Sequence, residues 1–133
     1  MTYSQLITIP SFIDRYKALR IGGTIGEDTF GYKRYLNQHL YTSTLWQQTR
    51  RRVIARDGGF DLAHKDFPIN GRIYVHHINP LTVEQLLNHD PEIFNLENLI
   101  SVSTPTHEAI HYGDETLLPI APPERYAGDT KLW

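Results

Sequence analysis

Two pairs of histidines constrain what this chain can fold into more than any other feature of its sequence. His107 and His111 are four residues apart, a spacing that places two imidazoles on one face of a helix, about one turn apart. Such a pair could bind a divalent cation jointly. His76 and His77 are adjacent in an apolar segment that predicts a strand, where successive side chains point to opposite faces. Together the four histidines indicate metal-dependent hydrolysis.

The length and composition of the chain limit the possible fold and the possible ligands. With 133 residues, the chain is expected to form one domain. It has no cysteine, so a metal ion would need nitrogen or oxygen ligands, and a reducing compartment is compatible. No apolar run approaches the roughly 20 residues that cross a bilayer, and the N-terminus does not resemble a signal peptide. We therefore expect a cytoplasmic protein that has no membrane partner.

The net charge of −2 conceals a strong asymmetry along the chain. Residues 57–133 hold four Lys and Arg against twelve Asp and Glu, whereas residues 29–56 hold six Lys and Arg and no acid. The six cations are Lys33, Arg34, Arg50, Arg51, Arg52 and Arg56. A phosphate backbone would be attracted to this basic segment, so the sequence predicts DNA binding there.

Apolar spacing predicts two helices in the first half of the chain. One covers residues 11–21 and the other covers residues 43–57, with Thr42 or Ser43 as the N-cap. Their core-facing residues are expected to be Phe12, Tyr16 and Leu19 in the first helix and Trp46, Val53 and Ile54 in the second. Glycine pairs at 22–23 and 58–59 are expected to end them.

The second half of the chain predicts strands and short helices. Asn70-Gly71 is typical of a type I′ hairpin, which would join a strand near 66–69 to a strand at 72–78 that ends before Pro80. Helical turns are expected at 83–87 and 91–94, a second strand at 98–102, and a helix from Thr104-Pro105 to Gly113. From residue 116 onward an irregular arm is expected. The predicted fold class is α+β.

Three motifs in this order resemble the HNH endonucleases, whose catalytic unit is a ββα-metal fold. They are Val-His-His-Ile-Asn-Pro at 75–80, Asn-Leu-Glu-Asn-Leu-Ile at 95–100 and His-Glu-Ala-Ile-His-Tyr-Gly at 107–113. The amino-acid sequence upstream of these motifs is similar to that of HNH proteins of bacteriophages and prophages. The resemblance implies a DNA endonuclease in a bacterial host cell, with an N-terminal helical extension at 1–41, an HNH core at 42–115 and a C-terminal arm at 116–133.

The resemblance also implies a role for each matching histidine. His76, His107 and His111 would hold one divalent metal ion, and His77 would be the general base that takes a proton from the attacking water. Three imidazoles favour Zn²⁺, Ni²⁺ or Mn²⁺ for binding, while Mg²⁺ could still support turnover. Hydrolysis would leave 5′-phosphate and 3′-hydroxyl ends. The remaining histidines, His39, His64 and His89, are expected to be structural or on the surface.

Asn98 would be the asparagine of the HNH motif, and its hydrogen bonds would hold the loop and the general base, His77, in place. Asn98 directly precedes Leu-Ile and lies nine residues before His107, whereas Asn95 is expected to cap a turn. The chain departs from many HNH proteins at their structural zinc, which is held by two Cys-x-x-Cys pairs. Residues 60–64 and 103–106 stand in those places without cysteine, so no structural zinc is expected.

Two other functions are compatible with parts of the sequence. His107-Glu108-Ala-Ile-His111 also matches the His-Glu-x-x-His signature of zinc proteases, in which Glu108 would be the base. That function would need a third ligand from Asp114, Glu115, Glu124 or Asp129, and it would leave His76, His77 and Asn98 unexplained. The other alternative is a DNA-binding accessory protein that works with the terminase of a phage packaging complex and cleaves weakly.

Overall fold

The computed structural model describes residues 1–19 and 42–119. Its elements are helices α1 (Tyr3–Leu6), α2 (Phe12–Leu19) and α3 (Thr44–Asp57), strand β1 (Ile73–His77), helix α4 (Val83–Leu87), strand β2 (Leu99–Ser103) and helix α5 (Thr104–Tyr112). This mixture of helix and strand confirms the predicted α+β class. In these two ranges, no helix combines the length and the apolar character that crossing a membrane requires. Predictions for residues 20–41 and 120–133 lie outside the described residues.

Strands β1 and β2 form an antiparallel pair that is covered by a helix on each face. Ile73 lies opposite Ser103, and His77 lies opposite Leu99. On one face, Val75 and Leu99 pack with two apolar residues of α3, Trp46 and Val53. On the other face, the apolar cluster includes Tyr74, Ile78, Ile100, Val102, Ala109 and Ile110, the last two from α5. Because side chains alternate along a strand, His76 faces α5 and His77 faces α3.

The bounds of the longer helices follow from local capping. Ser43 caps α3 with its side chain, and Gly58 ends the helix in the left-handed conformation with φ of 67°. Ser103, rather than Thr104, supplies the capping hydroxyl of α5 by accepting the N–H of Thr106, and Gly113 ends that helix with φ of 68°. Each ending needs positive φ, which glycine adopts at little cost. The predicted ends of both helices are therefore confirmed.

The hairpin predicted at Asn70-Gly71 is wrong. A type I′ turn requires positive φ at both residues, but only Gly71 has it, at 121°. Residues 66–69 lie instead beside an earlier part of the chain, where Pro68 forms an isolated antiparallel bridge with Phe60. Pro68 cannot donate to a strand ladder because it has no N–H. β1 therefore pairs with β2, which lies about 25 residues later in the chain and is buried along its whole length.

Two buried carboxylates bind the edge of β2 that faces away from β1. Asp57 Oδ2 accepts the N–H of Ser101 at 2.8 Å, and Asp61 Oδ1 accepts the N–H of Ser103 at 3.1 Å. Asp61 Oδ2 also accepts the hydroxyls of Ser103 and Thr106, both at 2.6 Å. The hydrogen bonds of Asp61 join the two stretches, 60–64 and 103–106, that stand where the HNH resemblance would place the Cys-x-x-Cys pairs.

Substitution of Asp61 is expected to change both stability and its dependence on pH. Asp61→Ala should lower the free energy of unfolding by about 3 kcal/mol, because buried donors lose a charged acceptor. Burial raises the pKa of Asp61 above its usual value of 3.8. The stability linked to this group is therefore full below the unfolded pKa and is lost as the pH rises through the raised folded pKa. Urea unfolding at several pH values measures this loss, which should disappear in Asp61→Asn. Equal pH dependence in Asp61→Asn and the wild type would contradict this.

Candidate metal centre

Three histidines from β1 and α5 lie in a row: His76 contacts His107 where the helix packs on the sheet, and His107 contacts His111, which is exposed. The ring of His76 meets the ring of His107 edge to face, with 6.0 Å between their centroids. The rings of His107 and His111, which share a face of α5, are 6.4 Å apart and nearly parallel. The structure thus brings together the three residues that the sequence predicts as metal ligands.

His76 has a buried nitrogen without a protein partner. Its Nε2 is inaccessible to solvent and has no hydrogen-bond partner in the described part of the chain. Leaving such a group unpaired costs about 1–3 kcal/mol. Burial, together with the neighbouring imidazoles of His107, His77 and His111, lowers the pKa of His76 to about 3. The imidazole is therefore neutral at neutral pH, which is the form that binds a metal ion.

His107 is held in the same group by a stacking contact. The ring of Tyr74 lies parallel to the ring of His107, with 4.7 Å between the centroids. Partial burial lowers the pKa of His107, the nearby His111 lowers it further, and Glu108 opposes the shift. His107 thus also favours the neutral form, and Tyr74 restricts the rotation of its ring.

The three rings do not converge on one point as they stand. Among residues 1–19 and 42–119, no three or more His, Asp or Glu side chains are arranged so that they could hold a metal ion. The rings would have to turn toward one another to bind one. The donor set nevertheless fits a divalent cation, because it offers imidazole nitrogens and one of them is buried without a partner.

His77 lies on the opposite face of the sheet and has different partners. Its Nε2 is 3.0 Å from the carbonyl oxygen of Ile93. A carbonyl only accepts hydrogen bonds, so this contact assigns the proton to Nε2 and the lone pair to Nδ1. The His77 ring also stacks on Trp46, with 5.5 Å between centroids and 27° between the planes. One carbonyl and one indole therefore fix the orientation of this imidazole.

Asn98 holds the loop that follows β1. Its Oδ1 accepts the backbone N–H of Asn79 at 2.8 Å and the Asn79 side-chain amide at 2.9 Å. Its backbone carbonyl accepts the N–H of Ile78, also at 2.8 Å. The carbonyl of Ile93 contacts the Nε2 of His77, the residue predicted as the base. Asn95 caps the 3₁₀ turn Leu96–Asn98, as predicted.

The predicted DNA-binding cations fall into three groups. Arg50 donates to the carbonyl of Ile73 at 2.7 Å, and Arg56 donates to the carbonyls of Leu96 and Leu99, both at 2.6 Å. Arg56 also pairs with Asp57. These two guanidinium groups bind the protein itself. Arg51 and Arg52 are exposed on α3, while Lys33 and Arg34 lie outside the described residues.

Two residues near the candidate centre make contacts that were not predicted from the sequence. Trp46 was expected only in the core, yet it also contacts His77. Arg72 lies outside the basic segment at 29–56, but it is exposed and its guanidinium is 5.0 Å from the Tyr74 ring centroid. The alternation of side chains along a strand does indicate Arg72, because it places residues 72 and 74 on the same face as the predicted ligand His76.

Comparison of the chain with protein-family models, with curated proteins and with solved structures gives no significant match. Only the residues of the candidate centre therefore indicate a function. The two features that matter are the row formed by His76 of β1 with His107 and His111 of α5, and the separate orientation of His77 on the other face of β1.

Proposed function

We propose that this chain is a metal-dependent DNA endonuclease of the HNH type, with β1, β2 and α5 as its ββα-metal core. The observation that carries the proposal is the unpartnered, buried Nε2 of His76 beside the His107–His111 pair. A protein without a ligand for that nitrogen would bear its desolvation cost for no gain. The separate orientation of His77 supports a second role, distinct from that of His76.

In this proposal His77 is the general base. Donation from its Nε2 to the Ile93 carbonyl fixes the tautomer, and Nδ1 takes the proton of the water that attacks the phosphorus. Trp46 restricts rotation of the ring. Asn98 ties the loop after β1 to β2 and so keeps the end of β1 in place.

His76, His107 and His111 would hold the divalent metal ion, which stabilises negative charge on the scissile phosphate and on the leaving oxygen. The low pKa of His76 keeps that imidazole available to a cation over a wide pH range. Zn²⁺, Ni²⁺ and Mn²⁺ suit these nitrogen donors, and Mg²⁺ is a weaker candidate. The products would carry 5′-phosphate and 3′-hydroxyl ends.

The experiment that tests the proposal is cleavage of supercoiled plasmid by the purified chain. We expect nicked or linear DNA when Mn²⁺ or Ni²⁺ is present, and no cleavage with excess EDTA. An accessory protein of a phage packaging complex would instead bind both metal and DNA and cleave the plasmid only weakly with each of Zn²⁺, Ni²⁺, Mn²⁺ and Mg²⁺. That result would replace the nuclease proposal.

Glu108→Gln separates the nuclease from a His-Glu-x-x-His protease. Glu108 is exposed on α5, so its loss should change the free energy of unfolding by no more than about 0.5 kcal/mol. The nuclease proposal gives it no part in proton transfer, and plasmid cleavage should keep most of its rate. A protease would lose its base. Loss of nearly all plasmid cleavage in Glu108→Gln, with metal still bound, would contradict the role given to His77.

Trp46 is expected to act on cleavage through His77. Trp46→Leu should lower the cleavage rate by up to about 10²-fold, because a small misplacement of a catalytic group has an effect of that size. Trp46→Phe keeps an aromatic ring and should recover most of the rate. In a His77→Ala background, Trp46→Leu should add no further loss. A loss of the same size in both backgrounds would make Trp46 a packing residue only.

A further inference from the structure

We propose that Arg72 binds a phosphate of the DNA strand beside the candidate metal centre. The inference rests on the proposed function and adds a substrate contact to it. Arg72 is exposed and directly precedes β1. Its guanidinium lies 5.0 Å from the ring centroid of Tyr74, and that ring stacks on His107 at 4.7 Å. One aromatic ring thus separates this cation from one of the proposed ligands.

The chemistry of the contact leaves Arg72 ready to bind an anion. The guanidinium lies over the Tyr74 ring as a cation–π contact, and this contact needs no hydrogen-bond acceptor, so two of its five N–H groups can bind a phosphate. Within residues 1–19 and 42–119, Arg72 forms no ion pair and no hydrogen bond through its side chain. Arg50 and Arg56 differ, because their guanidinium groups already bind backbone carbonyls.

The position of Arg72 favours contact with a phosphate near the scissile one. Residues 72, 74 and 76 share the face of β1 that meets α5. At about 3.3 Å per residue, the Cα atoms of Arg72 and His76 are about 13 Å apart. A DNA strand that crosses the candidate metal centre would therefore present another of its phosphates to Arg72. We expect this contact to orient the DNA strand without taking part in the chemical step.

The test measures affinity for a short DNA duplex, in EDTA, as a function of salt concentration. Arg72→Gln keeps much of the side-chain stem and removes the charge. For Arg72→Gln, the slope of the logarithm of the DNA-binding constant against the logarithm of salt concentration should be less steep than that of the wild type by about 0.9, the value for one phosphate contact. Arg72→Lys should keep the wild-type slope. Lys17→Gln is the matched control, because Lys17 is exposed on α2 and the opposite face of that helix is buried.

Failure of this inference can be told apart from failure of the proposed function. With metal present, Arg72→Gln should raise KM and leave kcat unchanged, as expected for a contact made equally before and during reaction. If the wild type cleaves plasmid and Arg72→Gln matches Lys17→Gln in salt slope and KM, the Arg72 proposal alone is overturned. If the wild type cleaves nothing with any of the four ions, yet Arg72→Gln still flattens the salt slope, the nuclease proposal is overturned and phosphate binding by Arg72 is supported. Thermal unfolding of each variant confirms that it is folded.

Discussion

His77→Ala should keep its metal ion and lose about 10²- to 10⁴-fold in the rate of DNA cleavage, the usual contribution of a positioned general base. The reason is that His77 faces α3, whereas the three proposed ligands lie on the α5 side of the sheet. Removal of His77 should therefore leave the ligand group intact. Initial rates of plasmid nicking and the metal content after gel filtration measure the two quantities on the same sample.

The matched control for His77→Ala is His89→Asn. His89 is exposed, and its backbone has φ of 52°, a conformation that asparagine tolerates better than alanine does. This variant removes one imidazole away from the candidate centre and should keep both the metal ion and the wild-type rate. A His77→Ala protein that binds no metal would show that the roles of His76 and His77 have been assigned wrongly.

His76→Ala and His107→Ala should each weaken metal binding by more than about 100-fold, since even loss of a partner outside the ligand group costs 10- to 100-fold. Metal-dependent cleavage should be lost with it. The shift of the unfolding midpoint on addition of Ni²⁺ reports binding without any reference to activity. A ligand present at 100 times its Kd stabilises the folded state by about 2.7 kcal/mol.

Both variants should lose that stabilisation, and His89→Asn should keep it. His76→Ala has a further use, because it removes the buried nitrogen that lacks a partner. If the Ni²⁺-induced shift in His76→Ala equals that of the wild type, the metal binds elsewhere and His76 has no role as a ligand.

Features that depend on neighbouring residues could be predicted from the sequence. Ser43 and Gly58 bound α3 as expected, because capping is decided within one turn of the helix end. The short helix at Val83–Leu87 and the 3₁₀ turn at Pro91–Phe94 were predicted at the same residues. The two faces of β1 followed from the alternation of side chains in a strand.

Features that depend on distant partners could not be predicted. Asn70-Gly71 has the residues of a hairpin, but the choice of strand partner depends on burial, and β2 offers five buried residues. The charge of Arg56 is evident from the sequence, yet its binding to the carbonyls of Leu96 and Leu99 depends on contacts with residues 40 and 43 positions away. The partner of Asp61 also lies about 40 residues away. A sequence shows which groups are charged and not which partner each one finds.

The most direct test of the central claim is plasmid cleavage by metal-free protein as Ni²⁺ or Mn²⁺ is added in increasing equivalents. If His76, His107 and His111 hold the ion that supports cleavage, the wild-type rate should rise from zero and saturate near one bound ion per chain. His76→Ala should stay inactive over the same range. Cleavage that continues in excess EDTA, or a His76→Ala protein that responds to metal as the wild type does, would contradict the account.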